Sequence, residues 1–281
     1  MILGGTVRGV RSILTVGGDS ISVRHSSLDQ GRPTVLFVHG LGDSSLAFDE
    51  AFHRNECASF DLVAPDLPGH GSSPAARDGL YTLEALASHL AALIEAMDLR
   101  QLTVVGHSLG GDVTTVLASR DRSGRIDRIV SVEGTLTPAD MFICNRATEA
   151  AEGGFEAFET WFHQRFCQET VFENWAVQGD AGRRYYASLR FCDPEAFLAC
   201  AAELVLRNRD EDTRGLSGIG ALYANLPVQK CFVYGTKSLP AKSANLVSEL
   251  KLEHHALPAG HWVMIDAAPE FYPLLQRLIL P

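Results

Sequence analysis

Basic residues are scarce in this sequence. Its 24 lysines and arginines are outnumbered by 34 aspartates and glutamates, which gives a formal net charge of −10 at pH 7. Lysine and arginine nowhere form the dense patch that binding to a nucleic-acid backbone requires. We therefore expect no nucleic-acid partner.

Long apolar runs are also missing. No stretch approaches the roughly 20 consecutive apolar residues that span a bilayer. Residues 1–5 show no basic segment followed by a long apolar one, as a signal peptide would. These absences predict a cytoplasmic protein that does not associate with membranes.

Closely spaced cysteines are absent too. The six cysteines are scattered without a C-x-x-C pair, which is typical of reduced, partly buried thiols. His254 and His255, with Glu253, could suggest a metal, but adjacent residues of a strand point to opposite faces. We expect neither a metal nor another cofactor.

The sequence does contain an alternation of apolar runs and helical patterns. Two half-exposed segments around Gly17-Gly18-Asp19 predict a hairpin. Helical patterns, with Thr82 and Pro269 at helix starts, separate further strands. These strands are short apolar runs typical of a parallel sheet buried on both faces, at 34–38, 60–64, 102–105, 126–132 and 228–234. The predicted fold class is α/β with a mostly parallel sheet.

One third of the chain interrupts this alternation. Residues 135–226 show no convincing strand, and they hold 13 of the 23 aromatic residues. We interpret them as a helical cap inserted into a core formed by residues 1–134 and 227–281. Glycines predict breaks between its helices at 153–154, 179–182 and 215–220.

A G-x-S-x-G motif supplies the candidate nucleophile. Gly106-His-Ser-Leu-Gly110 follows the apolar run 102–105 and precedes a helical pattern, as a sharp strand-turn-helix elbow requires. Such a turn exposes the hydroxyl of Ser108 above the sheet, and the N–H of Leu109 is then one donor for an oxyanion. The second donor is predicted to be the N–H of Leu41, in the glycine-rich loop after the run 34–38.

These motifs resemble those of α/β-hydrolase-fold proteins. The likeness includes Asp66-Leu-Pro-Gly-His-Gly-Ser-Ser73 and a late Gly260-His261 pair, and it covers nearly the whole chain, least securely the cap. It implies a doubly wound sheet of about eight strands and a structural role for Asp66. It also identifies His261, in the loop after a candidate strand at 252–257, as the base.

The triad acid departs from the family pattern. An Asp usually follows the strand equivalent to 228–234, but no Asp or Glu occurs here between Asp212 and Glu249. Some members of the fold place the acid at the end of the preceding strand, where this chain has Glu133. Glu133 is therefore the predicted acid, and Asp140 is the alternative.

The leading hypothesis is hydrolysis of a carboxylic ester of a small apolar substrate through an acyl-enzyme. The aromatic residues of the cap suggest an apolar pocket roof, although they could equally form the cap's own core. Carbon–carbon bond hydrolysis, amide hydrolysis, perhydrolysis and cofactor-free oxygenation use a similar serine–histidine pair, so they stay open. A non-enzymatic ligand receptor is the alternative of another class. The sequence does not indicate the oligomeric state.

Overall fold

A single β-sheet runs through the centre of the protein. The computed structural model describes residues 9–28 and 31–280. The strands are β1 (Val10–Val16), β2 (Asp19–His25), β3 (Thr34–Val38), β4 (Asp61–Pro65), β5 (Leu102–His107), β6 (Ile126–Val132), β7 (Gln229–Gly235) and β8 (His254–Leu257). They lie in the order β1-β2-β4-β3-β5-β6-β7-β8, with β1 and β2 antiparallel to their neighbours and the other pairs parallel. The predicted fold class is confirmed.

Helices cover both faces of the sheet and fill the region between β6 and β7. The α-helices are α1 (Leu83–Ala96), α2 (Leu109–Arg120), α3 (Phe142–Ala151), α4 (Phe155–Thr160), α5 (Ala176–Gln178), α6 (Asp180–Leu189), α7 (Pro194–Asn208), α8 (Gly218–Asn225), α9 (Ala241–Glu249), α10 (Val263–Asp266) and α11 (Ala268–Ile279). A π-helix, Trp161–Trp175, joins α4 to α5, and short 3₁₀ helices span Ser45–His53, Asn55–Cys57 and Pro138–Asp140.

Local chemistry explains where these elements begin. Gly17 and Gly18 both have positive φ angles and form the two-residue turn of the β1–β2 hairpin. The Thr82 hydroxyl accepts a hydrogen bond from the Ala85 N–H at the start of α1. Proline stands in the first turn of α11.

The inserted helices and the sheet share one hydrophobic core. Phe158, Phe162 and Phe197, from helices between β6 and β7, are fully buried in the same cluster as Leu36 and Val104 of the sheet. A second cluster packs α11 and the 3₁₀ helix Ser45–His53 against the other face. Among the described residues, no strand lies between β6 and β7. The cap boundaries of 135 and 226 stay a prediction.

The predicted helix breaks at 153–154, 179–182 and 215–220 are present, because Gly153 and Gly154 separate α3 from α4, Gly179 separates α5 from α6, and Gly215 lies between α7 and α8. Other glycines of the last two ranges are helical. Gly182 lies within α6, and Gly218 and Gly220 lie within α8. A Cβ at Gly182 would come within 2.3 Å of the Trp175 backbone, and one at Gly220 would come within 2.3 Å of the Leu136 carbonyl oxygen. These glycines therefore allow a helix to approach another segment closely rather than end it.

The structure also bears on the cysteine and membrane predictions. All six cysteines are free and buried, and burial raises the pKa of the Cys57 and Cys144 thiols to about 12. Within residues 9–28 and 31–280, no helix is both long and apolar enough to cross a bilayer.

Candidate active site

Ser108 lies on a sharp turn between β5 and α2. Its backbone has φ +52° and ψ −122°, a strained conformation for a residue with a side chain. A Cβ at Gly106 would lie 2.2 Å from the Gly110 carbonyl oxygen, and one at Gly110 would lie 2.1 Å from the Val38 carbonyl oxygen. Both motif glycines are therefore required for the turn, which leaves Ser108 half-buried on the wall of a cavity.

His261 lies in the loop between β8 and α10 and lines the same cavity. Its Nδ1 atom is 2.9 Å from Oε2 of Glu133. In the neutral imidazole this contact places the proton on Nδ1, which donates to the carboxylate, and leaves Nε2 as an acceptor. Within the described residues, no hydrogen bond joins the Ser108 hydroxyl to His261. Both side chains therefore line one cavity without a hydrogen bond between them. Hydrogen bonds of this kind often form only after substrate binds.

Glu133 follows β6 directly and is almost fully buried, with 3% of its side chain exposed. While Oε2 faces His261, Oε1 accepts hydrogen bonds from the Gly235 N–H at 2.7 Å and the Ser238 hydroxyl at 2.8 Å. Its backbone φ of +55° is again in the left-handed region. The Glu133 carboxylate is thus held in one orientation by the segment 235–238 at the end of β7 and by the loop that carries His261.

Asp140, the alternative acid, is engaged elsewhere. Its Oδ2 accepts from the N–H groups of Leu136 and Thr137, and its Oδ1 accepts from the Ser243 hydroxyl at 2.7 Å. The contact between Asp140 and the Thr137 N–H is part of a capping box at the start of the 3₁₀ helix Pro138–Asp140. Asp140 lines the cavity, but it has no hydrogen bond to His261 among the described residues.

The two predicted oxyanion donors also lie on this cavity. Leu41 and Leu109 are both on its wall. Neither of their backbone N–H groups donates a hydrogen bond to another described residue. Both N–H groups are thus free of a described partner in residues that line the cavity with Ser108, and Leu41 and Leu109 stay the predicted oxyanion donors.

The histidines beside these motifs support the framework. The His39 ring bridges the Gly40 carbonyl and the Leu67 N–H. The His107 Nε2 atom donates to the backbone carbonyl of His261 at 3.0 Å, and burial lowers the pKa of His107 well below its ordinary value. A neutral His107 thus fixes the backbone of His261, the predicted base.

The cavity has a volume of about 840 Å³ and opens between the sheet and the inserted helices. Of the 13 aromatic residues within 135–226, Phe142, Trp175 and Tyr185 line it. Others, including Phe158, Phe162 and Phe166, are buried in the core. Most aromatic residues of 135–226 therefore lie outside the cavity, and further apolar lining comes from Met141 and Ile143.

Sequence reasoning missed three polar side chains around this site: Ser238, Asp43 and Tyr185. Ser238 completes the environment of Glu133. Asp43 accepts a hydrogen bond from the indole N–H of Trp262, the residue after His261. The sequence offered two signals for these contacts. Asp43 is a polar residue shortly after Leu41, and Trp262 is a tryptophan directly after His261.

A separate group of possible metal ligands lies near the edge of the sheet. Cys231, Glu253 and His255 place their ligand atoms within 4.8 Å of one another. His254 and His255 are adjacent and point to opposite faces of the sheet. Glu253 and His255, however, are alternate residues and share a face with Cys231, which the sequence argument overlooked. An Arg128 guanidinium nitrogen lies 3.7 Å from Glu253 and balances its charge, so we assign no metal here.

A buried carboxyl anchors the loop that carries Glu133. Asp112, in the first turn of α2, accepts hydrogen bonds from the Thr135 N–H at 2.8 Å and the Thr135 hydroxyl at 2.7 Å. Burial raises the pKa of Asp112 to about 7. The folded protein therefore keeps this carboxyl protonated at pH values where the unfolded chain ionises it.

We expect Asp112→Asn to stabilise the protein increasingly as the pH rises from 4 to 7. Over this range, the wild type loses up to about 4 kcal/mol of unfolding free energy, because only its unfolded state ionises Asp112. Asparagine cannot ionise and can keep both contacts with Thr135. Urea unfolding at about pH 5 and about pH 8 measures the difference. An advantage of the same size at both pH values would contradict the assigned protonation.

The sheet order, the elbow and the inserted helices together point to one known architecture. The family model described as the alpha/beta hydrolase fold matches residues 33–164, which include β3, the elbow and β6. This chain has the α/β-hydrolase fold. A thermophilic esterase from Thermogutta terrifontis has the same fold, with a TM-score of 0.74 and 19% identity over 96% of this chain and 98% of that one.

Curated relatives of this α/β-hydrolase-fold chain match it over different lengths. An uncharacterized protein of Mycobacterium tuberculosis is 30% identical over 148 residues, which are 53% of this chain and 39% of the relative. The 2-hydroxymuconate semialdehyde hydrolase of a Pseudomonas species is 24% identical over 249 residues, which are 86% of this chain and 84% of that protein. The chain thus spans well under half of the first relative and most of the second.

Proposed function

We propose that this protein is a serine hydrolase that cleaves a carboxylic ester of a small apolar substrate through a Ser108–His261–Glu133 triad. The observation that carries the proposal is the 2.9 Å contact between His261 Nδ1 and Glu133 Oε2, beside the cavity that Ser108 lines. A buried carboxylate that orients an imidazole next to a strained serine has the composition of an acyl-transfer site.

The reaction follows from the roles of these groups. His261 Nε2 takes the hydroxyl proton as Ser108 Oγ attacks the ester carbonyl, and the N–H groups of Leu41 and Leu109 stabilise the resulting oxyanion. The intermediate collapses with cleavage of the carbon–oxygen bond, and the leaving alkoxide takes the proton from His261. Water, deprotonated by His261, then attacks the acyl-enzyme, the bond between the acyl carbon and Ser108 Oγ breaks, and His261 returns its proton to Ser108 as the acid leaves.

Hydrolysis of a carbon–carbon bond is the second candidate. The Pseudomonas relative that covers most of this chain is by its name a hydrolase of 2-hydroxymuconate semialdehyde. Such a reaction would use the same serine, histidine and oxyanion donors. The two candidates differ in the leaving group, which is an alcohol for an ester and a carbon acid for a carbon–carbon bond.

A substrate panel with covalent labelling tests the proposal. We expect the protein to hydrolyse p-nitrophenyl esters of some acyl length, and a fluorophosphonate to modify Ser108 in peptide mass spectrometry. Matched p-nitroanilides and a vinylogous diketone should react much more slowly than the best ester. If the diketone is the best substrate, the second candidate is correct. If no compound turns over and no label is found, the receptor alternative is favoured.

A further inference from the structure

One face of α6 contacts the loop 41–44, which carries a proposed oxyanion donor. The Tyr185 hydroxyl donates a hydrogen bond to the Leu41 carbonyl oxygen at 3.0 Å. The Ser188 hydroxyl lies 2.8 Å from the Ser44 hydroxyl. Tyr185 and Ser188 are three residues apart, so they lie on the same side of the helix.

Close packing accompanies these two hydrogen bonds. Gly42 has φ +70°, and a Cβ there would lie 2.6 Å from the Leu189 side chain of α6. Arg184 of α6 forms a 2.9 Å ion pair with Glu50, in the 3₁₀ helix that follows the loop. Contacts from four residues of α6 therefore hold the oxyanion loop and the segment after it.

The same tyrosine also contacts the loop that carries the base. Its ring centroid lies 4.8 Å from that of Trp262, the residue after His261. The Trp262 indole N–H in turn donates to Asp43 at 3.0 Å. Tyr185 thus lies between the oxyanion loop and the base loop and contacts both.

We propose that Tyr185 is a positioning residue that fixes the Leu41 oxyanion donor, so that docking of α6 completes the oxyanion hole. This inference rests on the proposed function. The N–H and the carbonyl of Leu41 flank the same Cα, so a hydrogen bond that holds the carbonyl restricts rotations that would re-aim the N–H. Tyr185 is 3% exposed, so water cannot easily replace its hydroxyl. Catalysis by such donors depends on their being aligned before the oxyanion forms.

Tyr185→Phe tests the role, because it removes one hydroxyl and keeps the ring. We expect kcat for the best p-nitrophenyl ester to fall roughly 10-fold, with KM changed less than about twofold, because the donor acts on the transition state. Affinity for phenylboronic acid should weaken by a similar factor. Its boron forms a bond with Ser108 Oγ, the serine proton passes to His261, and the tetrahedral adduct uses the oxyanion donors.

Tyr186→Phe is the matched control on the same helix. Tyr186 is half-buried, and its ring contacts that of Phe172 at 4.8 Å between centroids, with no hydroxyl contact among the described residues. Ser188→Ala, which removes the second hydrogen bond to the loop, should lower kcat and boronate affinity together but less than Tyr185→Phe. It provides the test if Tyr185→Phe fails to fold.

The outcomes separate the two proposals. If Tyr185→Phe and Ser188→Ala keep the kcat and boronate affinity of Tyr186→Phe, the positioning role is overturned while the hydrolase stands. The positioning role is likewise overturned if Tyr185→Phe raises KM and leaves boronate affinity unchanged. A wild type that neither cleaves any ester nor reacts with fluorophosphonate overturns the proposed function, and the positioning role with it.

Discussion

Ser108→Ala is expected to lower kcat for the best ester by about 10⁶-fold, the scale known for loss of a serine nucleophile. Without the hydroxyl, no acyl-enzyme can form, and only the oxyanion donors and substrate binding remain. Substrate affinity should be retained, because alanine fits where serine does and removes a single oxygen. Initial rates on the ester panel measure kcat, and mass spectrometry measures loss of fluorophosphonate labelling.

Ser119→Ala is the matched control for this experiment. Ser119 lies on the same helix, α2, and its hydroxyl bonds the Val116 carbonyl oxygen away from the cavity. It should keep wild-type rates and labelling. If Ser108→Ala retains more than a few per cent of the wild-type rate, another residue is the nucleophile.

Glu133→Gln is expected to lower kcat by roughly 10²- to 10⁴-fold, by analogy with protease triads. The Gly235 N–H points at Oε1, so the oxygen of a glutamine amide must take that side and its NH₂ must face His261. The imidazole then accepts at Nδ1 and carries its proton on Nε2, where it cannot take the proton of Ser108. Steady-state kinetics near neutral pH measure the loss.

Asp140→Asn distinguishes the two candidate acids. Because Asp140 caps a turn and has no hydrogen bond to His261 among the described residues, its replacement should reduce kcat less than tenfold. Its Tm shows how much of that loss is destabilisation. A near-native rate for Glu133→Gln, together with a large loss for Asp140→Asn, would transfer the acid to Asp140.

The sheet was predictable because its strands are local patterns. The runs 34–38 and 126–132 coincide with β3 and β6, because β3 is buried along its whole length and β6 is buried from Ile129 to Val132, where apolar residues dominate. The elbow was equally visible, because a strained turn requires glycines at fixed positions. Glu133 could be proposed as the acid because neighbouring parallel strands end at the same edge of the sheet.

The contacts around the site were not predictable, because they join segments far apart in the chain. Ser238 meets Glu133 across 105 residues, and Tyr185 meets Leu41 across 144. No local pattern encodes such pairings. For the same reason the sequence could not distinguish Gly182 and Gly220, which lie inside α6 and α8, from the glycines between helices, since their neighbours Trp175 and Leu136 are visible only in three dimensions.

The shared core of sheet and inserted helices limits how this protein could acquire a new specificity. Phe158, Phe162 and Phe197 fill space that the sheet itself borders, so exchanging the whole insertion for that of a relative would leave voids or overlaps costing several kcal/mol. Phe142 and Gln178 line the cavity but are exposed and lie outside that core. Evolutionary divergence in substrate preference is therefore expected to accumulate at such rim positions, with the buried rings unchanged.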